Sequence, residues 1–216
     1  MYWRLFATLH FCLSRGNCMF TNSTRKANPR GQRFWGELAP IEHSVQIYGD
    51  DVSFMDALEG YVSSGLGKRE SVILISTAAH LHELEKRLRA NWLDIDRARW
   101  EDRYIALLAQ ETLSRFMSDG RPDEALFIAL MTPLLARARA GGGGKLRAFG
   151  EMVAVLWGNG QCAAAIELEV MWNHLQAAEQ FPLFCAYPRS SFANDASASI
   201  QSVCAAHSRI VPGCAS

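Results

Sequence analysis

KLRAFGEMVAVLWGNGQCAAAIELEVMWNHLQAAEQFPLFCAYP, residues 145–188, is the stretch whose reading decides the fold. Leu146 to Phe149 forms a short extended apolar run, and Asn159-Gly160 is a turn signal. From about Gln161 to Glu179, Ala165, Leu168, Trp172 and Leu175 recur at steps of three and four, which predicts a helix with one buried face. Leu183 to Tyr187 is a second apolar run, closed by Pro188. The stretch therefore predicts strand, turn, helix, strand. Glu151 follows the first strand among apolar neighbours, and Glu169 lies four residues before Asn173 beside the buried helix face. A buried carboxylate is costly unless it is paired, and Arg147 and Arg103 are candidate partners. In the alternative reading, Glu169 and Asn173 bond each other or a nearby backbone group, and Trp172 is core.

Working outward, His43 to Tyr48 alternates as a strand, and Gly49-Asp50-Asp51 is a turn. Asp51 or Ser53 can cap the next helix, whose inner face is Met55, Leu58 and Val62 and which ends at Gly65 and Gly67. Ser71 to Ser76 is a continuous β-branched run of the kind covered on both faces. Thr77 can cap a helix carrying Leu81, Leu84 and Leu88. Tyr104 to Leu108 predicts a third strand and Glu111 to Met117 a short helix. Pro122 opens a helix that runs to about Ala140, bends at Pro133 and stops at Gly141 to Gly144. This alternation predicts an α/β fold, a three-layer domain with a mainly parallel central sheet. Ligands of such sheets bind beyond the carboxyl ends of the strands, which here carry Gly49, Asp50, Asp51, Thr77, Ala109 to Glu111, Glu151 and Pro188. The candidate ligand contacts are His43, Tyr48, Asp50, Asp51, Glu111, Glu151, Glu169, Trp172 and Asn173.

Several chemistries lack their motifs. The strand–turn–helix at 43–67 occupies the place of a phosphate-binding loop, yet IYGDDVSFMD has one glycine, no lysine and acids that would repel phosphate. Capping of the helix is the competing role for Asp50 and Asp51. His80 and His82, two apart on a helix, point away from each other and are expected to be exposed polar residues. His43 can orient a carboxylate or serve as a structural histidine. No HExxH, Cys/His quartet or GxSxG occurs, so no metal, cofactor or catalytic residue is expected.

At 216 residues, with 22 basic and 22 acidic side chains, the chain suits one domain without a general affinity for nucleic acid or membrane surfaces. No apolar run approaches the roughly 20 residues of a membrane span. The six cysteines have no CxxC spacing and are expected to be reduced thiols of a cytoplasmic protein. Residues 1–40 lack the periodicity of the rest. They are expected to form a poorly packed leader or a mis-assigned start, ahead of a domain at 41–212 and a tail at 213–216.

The stretches HSVQIYGDD, SVILISTAAHLHELEKRL, RYIALLAQETLSRFMSDGRPD, RAFGEMVAVLWGNGQCAAAIELEVMWNHL and FPLFCAYP, with the late CAAHSRIVP, resemble the MEDS family, the methanogen/methylotroph, dichloromethane-repressor-type sensory domain. The resemblance covers about residues 43–212, and the RAFGEMVAVLW…ELEVMWN…CAYP combination is its specific part. Leu108 departs from the Asp implied in an LDAxETL-like segment, which weakens a ligand role at that strand end. The resemblance implies a sensory domain related to RecA/KaiC-like ATPases with a degenerate P-loop position. Members of that family are often joined to histidine-kinase, PAS or DNA-binding modules; none is evident here, so the expectation is a stand-alone sensor, or a fragment, acting with separate histidine-kinase or regulator proteins. The expectation is a non-catalytic signal-transduction domain that binds a small molecule or partner protein. The alternatives are a divergent Mg-dependent nucleotide hydrolase using Asp50, Asp51 and Glu151, and a homo-oligomerisation module.

Overall fold

The computed structural model describes residues 35–36, 38–192 and 196–211. The expected leader up to residue 34 and the 213–216 tail lie outside the described residues. The elements in chain order are β1 (His43–Tyr48), α1 (Asp51–Gly67), β2 (Ser71–Ser76), α2 (Ala78–Ala90), α3 (Ile95–Trp100), β3 (Tyr104–Leu108) and α4 (Ala109–Ser114). They continue with β4 (Met117–Ser118), β5 (Arg121–Pro122), α5 (Glu124–Gly141), β6 (Leu146–Gly150), α6 (Met152–Gly158), α7 (Cys162–Glu179), β7 (Leu183–Pro188), a 3-10 turn (Arg189–Ser191), α8 (Ala196–Ala205) and β8 (Arg209–Val211). Six strands form one parallel sheet in the order β3-β2-β6-β7-β1-β8.

The alternation of side chains along β2 explains the three layers. Val72 and Leu74 face a core made with Phe54, Leu58, Leu84 and Ile95 of α1, α2 and α3. Ile73 and Ile75 face the opposite core, made with α4 to α8 through Leu113, Phe127, Val153, Leu168 and Val203. Every residue of β2 is buried, as its β-branched run requires of a strand covered on both sides. The expected α/β architecture is therefore present.

Four local expectations change. The predicted strand, turn, helix, strand order gains a further helix, α6, over Met152–Gly158, because the sheet ends at Gly150. Pro122 does not open a helix. It pairs with Met117 across a two-stranded ribbon whose turn residues Asp119 and Gly120 both have positive φ, and Asp123 caps α5 instead. The short helix expected at Glu111 to Met117 begins earlier, at Ala109, and stops at Ser114. Asp50 rather than Asp51 or Ser53 caps α1, its side chain accepting the Ser53 amide at 2.8 Å.

Arg147 on β6 does not partner Glu151 or Glu169. It is buried, donates to Glu70 at 2.7 Å and to the Tyr61 carbonyl at 2.9 Å, and lies over the Tyr61 ring. Gly65 makes room for it, since a Cβ there would stand 2.7 Å from the Arg147 Nε. Arg103 likewise turns to Glu101. Trp35, inside the segment expected to be a poorly packed leader, is 1% exposed and packs edge-on against Tyr61 with centroids 4.9 Å apart, also touching Phe184. Its carbonyl accepts the Ser64 hydroxyl at 3.0 Å.

Trp35→Ala should therefore cost about 3–5 kcal/mol, the usual loss for a large buried aromatic. Urea unfolding followed by circular dichroism measures it; an unchanged midpoint would show that the indole contributes nothing to the domain.

Candidate functional site

At the carboxyl ends of the strands, β2 leads into α2 on one face of the sheet while its neighbour β6 leads into α6 on the other. Adjacent strands whose connections leave to opposite faces open a crevice between them, the usual ligand position in an open α/β sheet. Glu151 sits there, directly after β6, with its amide donating to the Ile75 carbonyl of β2 at 2.8 Å. Its carboxylate crosses the crevice. Oε2 accepts the Ser76 hydroxyl and the Thr77 amide (2.9 Å), and Oε1 meets His80 Nδ1 at 2.7 Å. Burial pushes the Glu151 carboxyl up, but the hydrogen bond and charge of His80, with the Ser76 and Thr77 donors, outweigh it and hold the group below its ordinary value. The same hydrogen bond outweighs burial at His80 and holds that imidazole above its ordinary value. His80 packs edge-on against Phe54, which stacks on Tyr48. Burial first, then the charges of Glu151 and Asp51, push the Tyr48 phenol up.

A second polar cluster is buried on the α7 side of the sheet. Glu169 is 0% exposed, and its Oε1 accepts the Tyr187 hydroxyl at 2.6 Å. His43 Nε2 lies 3.5 Å from Glu169 Oε2 and 3.3 Å from Cys185 Sγ, and its Nδ1 meets Asn173 Oδ1 at 2.8 Å. Cys185 Sγ is 3.8 Å from Glu169 Oε2, and His207 Nε2 is 3.4 Å from Glu169 Oε1. The His43 and His207 rings are 4.0 Å apart. Burial lowers both imidazoles to about 4, in His43 with the neighbouring His207 as the second cause. Burial raises the carboxyl of Glu169 and, with the Glu169 charge, the thiol of Cys185.

The expected contacts thus divide between two places. Glu151 lies at the crevice, and Tyr48 reaches its partner His80 through Phe54; Asp50 and Asp51 lie exposed at the start of α1. Glu111 is exposed at the start of α4, after an edge strand. His43, Glu169 and Asn173 belong to the buried cluster. Glu169 and Asn173 do not bond each other: Asn173 bonds His43 and the Ala206 carbonyl. Trp172 is core, edge-on to Phe127, and its buried Nε1 has no hydrogen-bond partner among the described residues. Its indole lies under Gly150, where an added Cβ would stand 3.6 Å from Nε1. His80 is not a surface residue but the crevice partner of Glu151. Ser76, Tyr187, Cys185 and His207 carried no sequence signal of their own, because each becomes polar machinery only through a distant contact. The presence of Cys185 and His207 within CAYP and CAAHSRIVP was the nearest hint.

The family model described as MEDS: MEthanogen/methylotroph, DcmR Sensory domain matches residues 42–208. No curated protein and no solved structure matches the chain.

The crevice pair gives a pH signature. Glu151 is depressed, so its contribution to stability is present above the unfolded carboxyl value and is lost as pH falls through the folded one. His80 is raised, so its contribution is present below the unfolded imidazole value and is lost as pH rises through the folded one. The pair contributes most between 4.5 and 6.5, the ordinary values of the two groups. Glu151→Gln should cost about 1–3 kcal/mol in that window and less on either side. Urea midpoints across pH read this directly, and a cost that does not vary with pH would refute the pairing.

Proposed function

Because the chain belongs to the MEDS sensory-domain family, we propose that it is a signal-transduction domain that binds a small polar molecule at the β2–β6 crevice, without catalysis. The observation that carries this reading is Glu151. An ionised carboxylate is held across the crevice by donors from Ser76, Thr77 and His80, with the His80 side chain 20% exposed and Tyr48 linked to that ring through Phe54. A ligand with a hydrogen-bond donor can compete for this carboxylate and release His80, which changes how β6 is tied to α2. That exchange is the physical basis of a response.

The relation to RecA/KaiC-like ATPases is part of the same proposal. The chain keeps a strand, a tight turn and a helix where such enzymes cradle phosphate. The amino end of α1, the natural seat of an anion, is taken by the Asp50 carboxylate on the Ser53 amide. Among the described residues, Asp50, Asp51 and Glu151 do not converge into a group able to hold a metal ion, which disfavours the hydrolase alternative. A cytoplasmic setting suits the free thiols of Cys162, Cys185 and Cys204. No helix among the described residues is long and apolar enough to cross a membrane. The output partner in this reading is a histidine kinase or regulator protein.

In a thermal-shift screen of small polar metabolites, a binder should raise the melting temperature of the wild type, and the rise should vanish in His80→Ala. Mg²⁺ with ATP should give no shift and no phosphate release above a heat-killed control. ATP turnover abolished by Asp51→Ala would overturn the non-catalytic reading.

A further inference from the structure

Four elements deliver metal-ligand atoms to one buried point. His43 comes from the start of β1, Glu169 from α7, Cys185 from β7 and His207 from the link before β8. Their ligand atoms all lie within 4.8 Å of one another. His43 Nε2, Cys185 Sγ and Glu169 Oε2 stand 3.3, 3.5 and 3.8 Å apart as three pairs, and His207 Nε2 approaches the other carboxylate oxygen, Oε1, at 3.4 Å. A tetrahedral ion with bonds of about 2.0–2.3 Å holds its ligand atoms roughly 3.3–3.8 Å apart. We propose that His43, Glu169, Cys185 and His207 form a divalent transition-metal site, with Zn²⁺ the ion that fits their chemistry.

The second line of argument is the orientation of the two imidazoles. The His207 Nδ1 lies 2.7 Å from the Val203 carbonyl, which can only accept, so Nδ1 carries the proton and Nε2 presents a lone pair. That Nε2 is buried, on a side chain 0% exposed, and has no hydrogen-bond partner among the described residues. It is aimed at Glu169 from a distance too long for a normal hydrogen bond to a carboxyl group. Asn173 makes the same choice at His43. Its Nδ2 donates to the Ala206 carbonyl at 3.0 Å, which turns its Oδ1 toward His43 Nδ1 and leaves His43 Nε2 facing Cys185 and Glu169. Both rings are therefore in the tautomer that a metal at Nε2 requires. Asn173, the Val203 carbonyl and the Tyr187 hydroxyl on Glu169 Oε1 are the outer partners that fix ligands in metal sites.

Charge completes the argument. A Cys185 thiolate and a Glu169 carboxylate bring two negative charges, and two neutral imidazoles bring none. A divalent cation makes the buried centre neutral, whereas any of these charges alone is costly there. Binding releases the Cys185 thiol proton, together with any proton on Glu169. A nitrogen, sulfur and oxygen donor set suits Zn²⁺, and not Mg²⁺ or Ca²⁺, which take oxygen ligands. With all four positions supplied by side chains, the site is closed and structural rather than hydrolytic. It ties the segment after α8 to β1, where Ser208 already donates its amide to the His43 carbonyl at 2.9 Å. The site lies apart from Glu151, and its test does not depend on the crevice reading.

The test uses the full chain, stripped with a chelator and reloaded with Zn²⁺ or Co²⁺. The expected result is about one tightly held ion per chain by elemental analysis. The Co²⁺ form should show the intense ligand-field bands of a tetrahedral ion and a thiolate-to-metal charge-transfer band. Cys185→Ala, a swap of one small buried residue for another, should keep a cooperative melt and lose the charge-transfer band. Asn173→Ala should retain the band and weaken Zn²⁺ about 10–100-fold in competition with a chromophoric chelator. If Cys185→Ala does not fold, His207→Ala decides, with a loss of Zn²⁺ affinity beyond that range expected. Failure to retain metal, a Co²⁺ spectrum unchanged in Cys185→Ala, or Zn²⁺ affinity unchanged in His207→Ala would each mean an adventitious ion only and overturn the proposal.

Discussion

The burial of Glu169 is the constraint on which this half of the molecule depends. A carboxyl group with no access to water must be met from every side by polar atoms, and a single helix cannot supply them. The chain supplies them from β1, β7 and the segment ahead of β8, through His43, Tyr187, Cys185 and His207. This demand helps to fix the register of β1 against β7, where Val45 pairs with Cys185 and His43 with Leu183. A slip of one residue would turn His43 to the other face of the sheet. The polar cluster thus specifies which strands meet, as well as what they hold.

Glu151 poses the same problem nearer the surface and solves it differently. Its partners are a hydroxyl, a backbone amide and one half-buried imidazole, all from β2 and the start of α2. That arrangement keeps the carboxylate ionised while one partner remains within reach of solvent. The Glu169 cluster has no such opening. Burial therefore leaves Glu151 with one partner that solvent can reach, and leaves Glu169 with none among its carboxylate contacts.

Helix α7 touches both places. Glu169, Trp172 and Asn173 lie within little more than one turn of that helix. Two of them serve the buried cluster, and the third lays its indole under Gly150, next to Glu151. A rotation of α7 would disturb both sites together. Trp172, held edge-on by Phe127 in the hydrophobic core, makes such a rotation costly.

The sequence by itself determined the layered α/β fold. Continuous apolar runs such as SVILIS and helical repeats such as Leu81, Leu84 and Leu88 report burial directly, because burial is a property of each residue's own side chain. It also identified Glu151 and Glu169 as anomalies, since carboxylates among apolar neighbours are conspicuous in one dimension. It did not reveal their partners. The arginines suggested by charge went elsewhere, Arg147 to Glu70 and Arg103 to Glu101. The histidine judged to be surface, His80, became the partner of Glu151. His207 meets Glu169 from 38 positions along the chain, through a strand order that no local pattern encodes. Tertiary structure alone decided these pairings, because a parallel sheet brings together residues far apart in sequence, and hydrogen bonding depends on where the side chains finally lie.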